Sequence, residues 1–86
     1  MPEVSRFFGI VIKIFREEHP PPHFHAEYGE YEALIAIHTL TVIEGNLPSR
    51  PLGMVIEWAS EHRRELEELW TRAIHHQPMY KIPPLR

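Results

Sequence analysis

The chain has 86 residues, 43% hydrophobic and 24% charged, which bounds it to one domain (residues 1–86) near the small end of what folds unaided, so a homodimer or a partner chain would add stability. It has no cysteine, which excludes a disulfide framework and thiolate metal sites and makes a reducing compartment the expectation. The net charge of −3 argues against a nucleic-acid surface, although protonating the seven histidines would reverse its sign. No signal-peptide pattern is visible and no apolar run is long enough to cross a bilayer, so the expected location is the cytoplasm, with no membrane partner.

Phe7 to Phe15 is β-branched and aromatic, with Phe8, Ile10, Ile12 and Ile14 on one face and Lys13 on the other, and reads as a largely buried first strand. Arg16-Glu17-Glu18 breaks the run, and Pro20, Pro21 and Pro22 stiffen an extended segment without backbone donors. Two strand-like runs follow, His23 to Tyr28 and Tyr31 to His38, separated by Gly29-Glu30 as a type II′ hairpin turn. That turn pairs Tyr28 with Tyr31, Ala26 with Ala33 and Phe24 with Ile35. One face then carries Phe24, Ala26, Tyr28, Tyr31, Ala33, Ile35 and Ile37 as a core layer. The other carries His23, His25, Glu27, Glu32, Leu34, Ala36 and His38, with His38 on the diagonal from His23.

A fourth strand is expected at Thr41 to Glu44, ended by a turn at Gly45-Asn46. Ser49 is placed to cap a helix whose first turn tolerates Pro51. Leu52, Val55, Ile56, Ala59, Leu66, Leu69, Trp70 and Ala73 recur at helical spacing, which predicts one amphipathic helix of about 25 residues, roughly 37 Å long. Trp58 and Trp70 are expected to anchor the core. Pro78, Pro83 and Pro84 end regular structure, and Met79 to Arg86 reads as extended. The fold class is α+β: a small antiparallel sheet of three to four strands packed against one long C-terminal helix.

The chemistry lies in the run His19-Pro20-Pro21-Pro22-His23-Phe24-His25-Ala26-Glu27. On a strand, His23 and His25 share a face, and such a pair can share a metal or act as acid and base. As ligands, His23 and His25 with His19 or His38 would supply imidazoles to zinc, nickel or iron, with Glu27 or Glu32 as ligand or base. As metal-free catalysts, two imidazoles could cleave RNA without a cofactor, one removing the 2′-hydroxyl proton and one protonating the leaving group. The plain alternative is that they are strand histidines shaping a binding surface. His62 reads as a boundary residue of the helix that could turn toward the cluster. His75-His76, at the helix C-terminus, suit a structural role beside the helix dipole.

The run Ser5-Arg6-Phe7-Phe8-Gly9-Ile10-Val11-Ile12, the Pro-Pro-His-Phe-His-Ala core, the Glu44-Gly45-Asn46-Leu47-Pro48 turn and Trp58, His62, Glu65-Leu66 and Trp70 together resemble the small prokaryotic proteins grouped as domain of unknown function 4160. The resemblance spans nearly the whole chain. His19, His23, His25 and His62 sit at its motif positions, whereas His38, His75 and His76 do not. Members are frequently encoded beside a second small protein, of domain of unknown function 2442, and some such pairs look like toxin–antitoxin modules. What the resemblance implies is a toxin-like component with a small antitoxin-like partner. Joined to the residues, it gives a histidine-dependent RNase running through His23 and His25, with His19 or His62 assisting. A non-enzymatic interaction module and a metal-binding hydrolase built on the His-x-His pair are the other two expectations.

Overall fold

The structure, a computed structural model, describes residues 3–86. Among the described residues the architecture is α+β, with five strands and two helices. The strands β1 (Glu3–Phe7), β2 (Ile10–Lys13), β3 (His23–Tyr28), β4 (Tyr31–Ala36) and β5 (Val42–Asn46) form one antiparallel sheet in the order β1-β2-β3-β4-β5. The helices α1 (Ser49–Glu61) and α2 (Arg63–Ile74) follow.

The apolar run expected as one strand is a hairpin. Phe8 and Gly9 both take positive φ, 49° and 80°, and fold the chain into a two-residue turn that pairs Phe7 with Ile10 and Arg6 with Val11. The signal was obscured because Phe8 continues the hydrophobic pattern, yet it sits at the turn tip and is 60% exposed. The second hairpin follows the expected register: Tyr28 pairs with Tyr31, Ala26 with Ala33 and Phe24 with Ile35. Its core layer is buried at Phe24, Ala26, Ala33, Ile35 and Ile37, while Tyr31 at the turn is exposed.

β4 stops at Ala36, two residues earlier than expected, because the backbone turns there: Leu40 N–H donates to the Ala36 carbonyl. His38 thereby leaves the sheet face, and β3 and β4 pair His23 with Ala36. Gly45-Asn46 does not end the next strand but lies within β5, opposite Ala33 and Glu32, beyond an irregularity in the pairing at Leu34/Ile35.

The helical pattern holds, but it belongs to two helices rather than one long one. At His62 (φ −126°, ψ 26°) the amide bonds back only to Ala59, a tightened turn that ends α1 and starts α2. Ser49 is the first helical residue, and its side chain makes no capping bond. Val55, Trp58, Ala59, Leu66, Leu69, Trp70 and Ala73 are buried with the inner face of the sheet, where Trp58 meets Phe7 and Phe24 at ring distances of 5.3 and 6.2 Å. The C-terminal segment after α2 has no regular structure, yet it is fastened: Ile82 N–H donates to Val4 O of β1, and the Trp58 indole N–H donates to Pro83 O. No helix among the described residues is long and apolar enough to cross a membrane.

Candidate functional site

β2 ends at Lys13, and the chain crosses from there to β3 through Glu18 and the prolines. Pro20, Pro21 and Pro22 have no N–H, so they cannot extend the ladder, and β3 begins with the first residue that can donate. Pro22 still contributes its carbonyl, which accepts from Ile37 N–H. This anchors the loop against the end of β4, and Glu18 meets the side of β3 that carries His23 and His25.

There His23 and His25, two apart on β3, stand with ring centroids 5.5 Å from each other. His23 is buried against Trp70 of α2, with centroids 5.1 Å apart. Its Nδ1–H donates to Pro21 O at 2.8 Å, so its other nitrogen, Nε2, faces Glu18 Oε1 at 3.3 Å. His25 is held at both ends: Nδ1 bonds Glu32 Oε2 at 2.9 Å, Nε2 bonds Glu18 Oε1, and Phe15 meets the ring edge-on. Two imidazole Nε2 atoms therefore converge on one carboxylate oxygen. One ligand atom from each of Glu18, His23 and His25 lies within 4.8 Å of the others, close enough for a single metal ion.

Burial pushes the Glu18 carboxyl upward, but the hydrogen bond and charge of His25, then those of His23, outweigh it and hold the group below the usual carboxylate range. Each hydrogen bond from an imidazole nitrogen to a carboxylate requires a proton on that nitrogen. The same lone pairs, freed of protons, would point at a cation.

The structure distributes the other expected residues as follows. His19 lies beside the cluster, lining with Glu18, Pro20, Pro21, His23, Leu34, Ile43 and Glu44 a cavity of about 250 Å³. His62 packs on Trp58 and bonds Glu65 through Nδ1, at the junction of the helices and not in the cluster. His38 is exposed, 3.6 Å from Glu67, so it is not the third imidazole that the hairpin diagonal suggested. Glu27 pairs with Lys13 at 3.1 Å, and Glu32 holds His25 from outside, so neither is the carboxylate shared by the two rings. That carboxylate is Glu18, whose only mark in the sequence is that it helps to break the first apolar run. A larger cavity, about 410 Å³, lies away from the histidines between Ser5, Arg6 and Lys81, and Glu3 pairs with both of its cations.

The surroundings are mainly acidic, with Lys13 of β2, opposite His25 and paired with Glu27, as a neighbouring cation. Between Glu17 and Ser49, the stretch that builds β3, β4, β5 and the loop before them, there is no lysine or arginine, while Glu17, Glu18, Glu27, Glu30, Glu32 and Glu44 all fall within it.

The family model described as "Domain of unknown function (DUF4160)" matches residues 9–71, which include the cluster and both helices as far as Thr71. No curated protein and no solved structure matches the chain.

Proposed function

Because the chain belongs to the DUF4160 family, whose description carries no activity, we propose its function from its own side chains: it binds one divalent transition-metal ion through Glu18, His23 and His25, and that centre is hydrolytic. The observation that carries this reading is the pairing of roles on each ring. Both Nε2 atoms converge, and both Nδ1 atoms are oriented from behind, His23 by the Pro21 carbonyl and His25 by the Glu32 carboxylate. Metal-ligating histidines are held in this manner, because the outer acceptor fixes the tautomer and aims the remaining lone pair.

Three protein ligands leave a coordination position for water, and the cavity beside Glu18 and His23 gives a substrate access to it. A metal there would make bound water a nucleophile near neutral pH. Two imidazoles and a carboxylate suit zinc, nickel or iron.

The metal-free RNase reading has the adjacency of His23 and His25 in its favour. It is weakened by the shared carboxylate, which engages both Nε2 atoms at once. The stretch from Glu17 to Ser49 lacks lysine and arginine, and the neighbouring Lys13 is paired with Glu27, so little cationic charge is present to hold a polyanion. A toxin-like role beside a small partner is compatible with the metal centre, and growth arrest that His25→Ala abolishes and His62→Ala preserves is the expected readout.

The direct test is metal analysis of protein purified without a histidine tag and titrated with zinc, nickel or iron(II). One equivalent is expected, lost in His25→Ala and Glu18→Gln and retained in His62→Ala. Absence of stoichiometric uptake, or uptake unchanged by His25→Ala, rejects the proposal.

A further inference from the structure

The two edges of the sheet are treated differently. β1, at one edge, is covered by the chain's own C-terminal segment through the Ile82–Val4 bond. β5, at the other, pairs with β4 alone, and all five of its residues are exposed. An edge of this kind normally carries lysine, proline or a covering element that keeps other strands away. Among the described residues β5 has none of these; its one irregularity leaves Ile43 without a partner on β4, and it displays Val42 and Ile43, 39% and 45% exposed. The cavity of about 250 Å³ runs from Ile43 and Glu44 of this strand to Glu18 and His23, so an incoming segment would find a pocket for a side chain next to free backbone groups.

The charge decides what fits. With glutamates and no lysine or arginine from Glu17 to Ser49, this end of the molecule repels a second copy of itself, since two β5 strands paired across a two-fold axis bring acid against acid. One divalent ion at the Glu18 cluster offsets two of those charges and leaves the remainder. We propose that the free edge of β5, with its adjoining cavity, binds an extended, lysine- or arginine-bearing segment of a partner protein as a sixth strand. Main-chain hydrogen bonds supply the affinity, and the acidic surroundings with the cavity select the side chains. The proposal does not depend on the metal centre.

The test uses the full chain with a chelator present, so that failure of metal binding leaves the result unaffected. Two synthetic peptides serve as probes, one alternating lysine with valine and one alternating glutamate with valine, followed by backbone amide shifts and by anisotropy. The lysine peptide is expected to shift the amides of Val42 to Asn46, to bind at least tenfold tighter than the glutamate peptide, and to weaken as salt is raised. Ile43→Lys, at a position 45% exposed, and Glu44→Lys are each expected to weaken it at least tenfold with the remaining amide spectrum unchanged. Equal binding of the two peptides, binding of neither, shifts confined to other elements, or sedimentation at the mass of two chains lost in Ile43→Lys would each overturn the proposal, the last by assigning the edge to a second copy.

Discussion

At Gly45 the backbone takes φ 76°, and a methyl group built there would stand 2.2 Å from the carbonyl oxygen of Glu32. No rotation relieves that contact, so Gly45→Ala must displace β4 or β5, and an expected loss of about 1–3 kcal/mol in urea denaturation follows. Tyr80 offers a titration. Burial, then the hydrogen bond it donates to Glu68, pushes its phenol up to about 12. Because the folded value lies above the unfolded one, the contribution of this group is complete below pH about 10 and is lost as pH rises toward 12. Absorbance titration is expected to show one tyrosine ionising in that upper range, and Glu68→Gln to move it downward. Glu18 shows where residue-level reading ran out. Alternation assigns faces only within strands, which is why His23 and His25 were legible as neighbours. Glu18 reaches them around a loop whose path depends on Pro22 docking against Ile37, a contact with no local signature. A carboxylate and a histidine five positions apart, bracketing a stiff proline spacer, was the available clue.

At the scale of elements, the hairpin of β3 and β4 was legible because the Gly29-Glu30 turn and the period-two pattern agree on one register. The β1–β2 turn was not, since Phe8 fits the apolar pattern while occupying a backbone position that favours asparagine or glycine. Phe8→Asn is therefore expected to stabilise the fold by about 0.5–1 kcal/mol, seen as a higher denaturation midpoint, because it relieves a positive φ and removes an exposed ring. The break at His62 has no signature in the pattern for a related reason. The apolar spacing continues across it, and one tightened turn leaves the stripe nearly in phase. The C-terminal segment is a structural element despite lacking regular structure. Removing residues 79–86 strips the buried Ile82 from the core and leaves the Trp58 indole N–H without its acceptor. The expected cost is at least about 2 kcal/mol, and the uncovered β1 edge should give concentration-dependent association in sedimentation.

Across the whole molecule, the stretch from Glu17 to Ser49 carries six glutamates and no lysine or arginine, whereas α2 balances three arginines with three glutamates, so the metal-capable cluster lies at the more acidic end. Composition gave only the net charge, and the asymmetry emerged once the topology gathered residues 17–49 into adjacent strands. An ion held there links binding to stability. At a free concentration a hundredfold above its dissociation constant, it adds about 2.7 kcal/mol. For a domain of this size that is a melting shift on the order of 10 °C, expected with zinc, reversed by chelation, and absent in His25→Ala. The fold class was legible from pattern alone, whereas the count of strands and helices turned on Phe8-Gly9 and His62. The bond between the Trp58 indole and the Pro83 carbonyl carries one more consequence. During synthesis, the central aromatic of the core waits for a residue 25 positions downstream. A nascent chain stalled on the ribosome before Pro83 emerges would hold an incompletely closed interior, so quality-control proteases should degrade such stalled products faster than released ones.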